Sequence, residues 1–219
     1  MMPIISFSHP KGGVGKSTLC FNFLSYLQLK NIDFICVDLD GQNSISSLNK
    51  IRKINGLKPF NIISFKSESE LIEFIKNNKN KFTVIDTGGF DSGFNRIVIS
   101  ISNQIITPFG DSPLEILRLR DFDKILDEIQ NQINEEIKID LVINRISSSI
   151  KSFNYLKKQI DDCKHFKLLQ FPIRDRVAFK NSLIEGKGVL EIDSKSLSDA
   201  NAKSEIELLF DEILKQVKE

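Results

Sequence analysis

The chain of 219 residues carries 30 Lys and Arg against 29 Asp and Glu, a net charge of +1, so its bulk charge selects no class of partner. The length fits a single domain over residues 1–219 with a core that buries ~70% of the unfolded surface. No apolar run approaches the ~20 residues of a membrane span, and the first eight residues lack the cationic start and long apolar stretch of a signal peptide.

Cys20, Cys36 and Cys163 share no metal-ligand spacing and read as thiols of a reducing cytosol. Short apolar runs alternate with helical periodicity. Strands are expected at 4–8, 34–38, 62–65, 82–86, 104–107, 139–143 and 167–171. Most are continuous apolar runs, as in strands covered on both faces. The pattern predicts an α/β fold of three layers, α/β/α, around a mostly parallel twisted sheet. Leu19, Phe23, Leu24 and Leu27 mark a helix after the first strand, and Leu114, Leu117, Phe122, Ile125, Leu126 and Ile129 mark a longer one.

Between the first strand and its helix lies His9-Pro10-Lys11-Gly12-Gly13-Val14-Gly15-Lys16-Ser17-Thr18. Strand, glycine-rich loop and helix in this order make a phosphate-binding loop. The glycines let backbone N–H groups converge on phosphate oxygens, and the helix N-terminus adds positive potential. Lys16 suits the β- and γ-phosphates and Ser17 suits Mg²⁺. Pro10 stands where the standard spacing has glycine, and a second lysine, Lys11, opens the loop.

The second strand ends in Val37-Asp38-Leu39-Asp40-Gly41-Gln42. Carboxylates at i and i+2 leave a strand on one side, at the sheet end where ligands bind in open α/β folds. One fits a Mg²⁺ shell, which places Asp38 with Ser17 at the metal, and the other fits a water. Taken alone, the pair also fits the capping of a helix from Asn43. Asp86 ends the run 82–86 ahead of Thr87-Gly88-Gly89 and looks like a Walker B aspartate. It suits Mg²⁺ held through water, because Mg²⁺ dehydrates reluctantly. Asn144 ends a further strand. Its amide suits an adenine edge, and equally a strand-end turn.

Towards the C-terminus, Asp175 and Gly186 read as N-cap and C-cap of one short helix. Charge is uneven: residues 141–190 carry +6 and residues 191–219 carry −4. The positive block suits DNA phosphates contacted without reading sequence, with Arg174, Arg176, Lys180 and Lys187 as candidates, or a solvated basic face. The last helix, expected over 204–218, puts Ile206, Leu209, Phe210, Ile213, Leu214 and Val217 on one face. Its other face is acidic, so packing on the core is expected over binding to anionic lipid.

The run from Lys11 to Ser17 resembles the deviant Walker A motif of the ParA/MinD ATPases, within the SIMIBI branch of P-loop proteins. Asp38-Leu39-Asp40 resembles that family's Asp-x-Asp-Pro-Gln, with Gly41 in place of the proline. Residues 171–191 resemble the C-terminal part of small ParA-like partition ATPases, so the resemblance runs from about residue 4 to residue 191. It implies an ATPase using ATP and Mg²⁺, slow until a partner stimulates it, in which ATP bridges a homodimer. On that resemblance Lys11 reaches the partner's phosphates, and Gly12, Gly13, Val14, Gly15, Lys16, Ser17 and Thr18 hold the nucleotide, with Thr18 at the α-phosphate. Asp40 orients the hydrolytic water, and Asn144 and Pro172 lie at the base. Non-specific DNA binding, a ParB-like or other activating adaptor, and a nucleoid-associated cytoplasmic role in plasmid or chromosome partition or cargo positioning are further implications. Two other readings share the fold. One is a MinD-like membrane-associated regulator, which the acidic last helix opposes. The other is a metabolic ligase, for which no second domain or substrate motif is visible.

Overall fold

The strands sort their side chains between two helical layers. The computed structural model describes residues 2–89 and 92–218. Strand β1 (Ile4–Phe7) sends Ile5 and Phe7 to one layer and Ile4 to the other, the period of two that a pleated strand dictates. Strand β2 (Phe34–Asp38) divides Cys36 from Val37, and β3 (Ile62–Ile63) pairs beside it. Strand β4 (Phe82–Asp86) divides Val84 from Ile85 in the same way. Strands β5 (Gln104–Phe109) and β6 (Ile139–Ile143) divide Ile106 from Ile105 and Val142 from Leu141. With β7 (Phe166–Leu168) they form a parallel sheet in the order β3-β2-β4-β1-β5-β6-β7.

Helices α1 (Lys16–Leu29), α2 (Ser44–Ile54), α7 (Val177–Ile184) and α8 (Leu197–Lys218) cover one face. Helices α3 (Glu68–Asn77), α4 (Gly93–Ile101), α5 (Pro113–Ile133) and α6 (Asn154–Ile160) cover the other. Helix α1 is buried all round from Leu19 to Leu27, Asn22 and Ser25 included. Helix α8 lays Ile206, Leu209, Phe210 and Ile213, all fully buried, against it, with the Phe23 and Phe210 rings 5.1 Å apart. The chain leaves β1 towards β2 and returns on the opposite side with β5. The strand order therefore reverses at β1, which opens a crevice at the carboxyl ends of the strands.

Several boundaries differ from expectation. Strands β1, β3 and β7 end before the predicted 8, 65 and 171. Strand β5 runs on through Pro108 to Phe109. The N–H that proline lacks would face past the end of β1, where no ladder partner is needed. Helix α8 starts at Leu197, a turn and more ahead of the predicted 204. Its start is fixed by Ser196, whose hydroxyl accepts from Asp199 N, while Leu197 is 78% exposed and adds nothing to the apolar stripe. Helix α7 is capped at Arg176 and not at Asp175. Asp175 N donates to Ile146 O beside the Ile146–Arg174 bridge, which ties that residue to the preceding extended segment. Gly186 does follow the helix end, with φ +67°.

Candidate functional site

Gly13 and Gly15 hold φ of +81° and +102° in the turn between β1 and α1, a left-handed backbone that a Cβ would strain. A side chain at Gly15 would also collide with the Asn144 amide. The loop rims a cavity of about 750 Å³, with Asp40, Gly88, Ile173, Phe179 and Leu183 among its other walls. A Cβ on Gly89 would sit 2.6 Å from Gly12 N, so Gly89 is what lets the segment after β4 pass against the loop.

Lys16 is buried, and its Nζ donates to Lys11 O at 3.0 Å. Burial lowers its pKa, against the attraction of Asp86 and Asp40. Lys11 Nζ lies 3.4 Å from Glu115 Oε1 in the first turn of α5, and Glu115 Oε2 accepts from Gly110 N. Lys11 N donates to His9 Nδ1 at 2.9 Å. Burial, then Lys16 and Lys11, hold the His9 pKa down to about 3. The neutral ring therefore carries its proton on Nε2, since Nδ1 accepts. Lys11 is thus tied at N, O and Nζ by groups of its own chain.

Asp86 ends β4 fully buried, and neither carboxylate oxygen has a hydrogen-bond partner among the described residues. Burial pushes its pKa up to about 8. The Ser17 hydroxyl opposes that shift from nearby without closing a bond of good geometry, Asp38 adds to it, and Lys16 opposes it. A buried carboxylate without a partner is costly, and a cation relieves the cost. The donor set, one carboxylate and one hydroxyl beside a phosphate loop, fits Mg²⁺. No cluster of three or more His, Cys, Asp or Glu poised for a metal occurs among the described residues, so the remaining ligands would be phosphate oxygens and water.

Asp38 and Asp40 both engage the start of α2. Asp38 Oδ2 accepts from Ser46 N at 3.0 Å and Ser46 Oγ at 2.6 Å, and so caps the helix in place of Asn43, whose side chain makes no cap bond. Asp40 Oδ1 accepts from Gln42 N and Oδ2 from Ser44 Oγ, each at 3.1 Å. Asp40 faces the cavity, while Asp38 is buried against the helix.

Asn144 Nδ2 donates to Val14 O at 2.8 Å, and Arg145, at φ +57°, donates from Nη1 to Gly13 O at 3.0 Å. The two side chains fix two peptide planes of the loop. The apolar wall begins at Ile173, one residue after Pro172. Arg174 donates to Ser147 O and Ile150 O and lies over the Phe153 ring. Arg176 makes a two-point pair with Glu205 at 3.0 and 2.5 Å, and Lys187 pairs with Glu185 at 2.7 Å. Of these four candidates, Lys180 alone makes no ion pair or internal bond among the described residues. Sequence reasoning assigned no role to His9, Glu115, Ser44 or Arg145, since each acts through the loop backbone or a neighbouring carboxylate.

The family model for the CobQ/CobB/MinD/ParA nucleotide binding domain matches residues 5–189. The chain is 23% identical over 224 residues to Protein ParA of Rhizobium radiobacter, covering 100% of this chain and 99% of that protein. A plasmid partition protein of Borrelia burgdorferi B31 bound to AMPPNP superposes with a TM-score of 0.64 at 20% identity, covering 97% of this chain and 100% of the other. Apo McdA of Cyanothece superposes with a TM-score of 0.72 at 16% identity, covering 98% and 100%. The matched span holds the phosphate loop, Asp38, Asp40, Asp86 and Asn144, and the chain belongs to the CobQ/CobB/MinD/ParA family of nucleotide-binding domains.

Proposed function

We propose that this chain is a Mg²⁺-dependent ATPase of ParA type that dimerises on ATP, binds DNA without reading sequence, and partitions DNA or positions another cargo. The observation that carries the reading is Asp86, a fully buried carboxylate with neither oxygen partnered among the described residues, beside Ser17 and Lys16 at a phosphate loop. The AMPPNP complex of the Borrelia partition protein supports ATP as the nucleotide.

Mg²⁺, when bound, neutralises phosphate charge. Ser17 and, through water, Asp86 would hold it, with Asp38 close by. Lys16 exchanges Lys11 O for β- and γ-phosphate oxygens. The amides of Gly12, Gly13, Val14 and Gly15 take the same phosphates, and Thr18 takes the α-phosphate. Ile173, Phe179 and Leu183 offer the base an apolar wall, flanked by Asn144 and Pro172. Asp40 orients the attacking water. The chemistry is positioning and charge stabilisation without a covalent intermediate. Lys11 leaves Glu115 for the phosphates of a second copy, so ATP favours the dimer by mass action.

Turnover by this scheme is slow until an adaptor of ParB type or similar stimulates it, and the protein works in the cytoplasm at the nucleoid. Arg174 and Arg176 brace the fold, so DNA phosphates would fall to Lys180 and to Lys151, Lys157 and Lys158, which are exposed at and before α6. No helix among the described residues is long and apolar enough to cross a membrane, and the apolar face of α8 is buried. The second fact favours this reading over a MinD-like one. DNA retardation with ATP and with ADP, at fixed salt, tests the switch. ATP-dependent retention that weakens steeply with salt is expected, and equal affinity with both nucleotides would overturn it.

A further inference from the structure

The turn that carries Asp40 is closed by one backbone bond, from Asn43 N to Asp40 O at 2.8 Å. Residues 41–43 are exposed, Gly41 adds backbone freedom, and a Cβ there would meet nothing within 4 Å. Asn43 sits at φ +51° and does not cap α2 with its side chain. The Asp40 side chain itself is held by bonds to its two carboxylate oxygens. Asp40 Oδ1 has a backbone partner, Gln42 N, on the same exposed turn. Its Oδ2 has Ser44 Oγ at 3.1 Å.

Ser44 differs from the turn in one respect. It is the first residue of α2, it is half-buried, and the next residue, Ile45, is fully buried in the core. Asp38 clamps the same helical turn through Ser46. The Ser44 hydroxyl is therefore a fixed point, and the Asp40 carboxylate is a group on a freer segment that leans on it.

We infer that Ser44 is a positioning residue for ATP hydrolysis: its hydroxyl sets the orientation of Asp40 and supplies the stiffness that Gly41 does not. The inference rests on the reading of Asp40 as the group that orients water. Hydrolysis is sensitive to such placement, because displacements near 1 Å cost up to roughly 100-fold in rate.

The test compares wild type, Ser44→Ala, Ser44→Thr and Asp40→Ala in steady-state ATP hydrolysis with Mg²⁺, alongside direct binding of AMPPNP and thermal unfolding. Ser44→Ala is expected to lower kcat about tenfold while AMPPNP affinity and the unfolding midpoint stay at wild-type values. Ser44→Thr, which keeps the hydroxyl, is expected to restore kcat. If Asp40→Ala abolishes turnover while Ser44→Ala turns over like wild type, the inference falls and the ATPase reading stands. A Ser44→Ala protein that loses AMPPNP affinity in step with kcat also overturns it. If Asp40→Ala hydrolyses ATP at the wild-type rate, the role of Asp40 falls and takes the inference with it.

Discussion

Lys16 Nζ donates to Lys11 O at 3.0 Å, so the buried ammonium of the phosphate loop is bonded to the residue that opens it. In the proposed scheme a nucleotide displaces that bond and repays it with phosphate oxygens. Lys16→Met keeps the volume and removes the charge. ATP affinity should fall by about 2–5 kcal/mol, the range for truncating one side of a desolvated charge contact. Calorimetric titration reads this. The unfolding free energy of the nucleotide-free protein should hold or rise by about 1 kcal/mol, since a desolvated ammonium is gone.

Two buried groups give the nucleotide-free protein a distinctive stability profile with pH. Asp86 has its pKa raised to about 8 from 3.8, so the folded state holds a proton that the unfolded state releases. Its contribution is fully present below pH 3.8 and is lost as pH rises through 8. His9 has its pKa lowered to about 3 from 6.5, so the unfolded state takes the proton. Its contribution is fully present above pH 6.5 and is lost as pH falls towards 3. The two oppose each other between about pH 4 and 6.5. Above that Asp86 acts alone, and stability should fall by up to about 1.4 kcal/mol per pH unit. Denaturant titrations at pH 6.5 and 8.5 without Mg²⁺ should show the decline in wild type and its loss in Asp86→Asn.

Arg52, 2% exposed, spans both Glu191 oxygens at 2.7 Å and also reaches Gln28 Oε1, Lys58 O and Gly186 O. It fastens the end of α2 to the segment that follows α7. Arg52→Ala leaves Glu191 enclosed without its partner and should cost about 3–5 kcal/mol, a drop of roughly 10 °C in Tm. Arg52→Met with Glu191→Met should recover a large part of that loss in thermal unfolding.

Most strands were legible because they are short apolar runs whose alternate residues feed two layers, as Ile5 and Ile4 do in β1, whereas β7 puts Phe166 and Leu168 into one layer and exposes Lys167. The phosphate loop was legible because its glycines and lysines are local in sequence. Arg52 was not, since nothing near it announces a partner 139 residues away at Glu191. Arg174 and Arg176 entered a count of charge that records sign and not pairing. Their partners, the carbonyls at 147 and 150 and the carboxylate of Glu205, are set by tertiary contact alone. The opening turn of α8 was missed because it carries no buried stripe for periodicity to find, only the Ser196 cap.

Lys11 is the residue on which the central claim turns, since its own chain now holds its ammonium at Glu115. The most direct measurement is the solution mass of wild type, Lys11→Ala and Asp40→Ala with ADP and with ATP in Mg²⁺. A monomer with ADP, a dimer with ATP, a dimer trapped by Asp40→Ala and a dimer lost in Lys11→Ala is the predicted result. All three proteins remaining monomeric with ATP bound would contradict it.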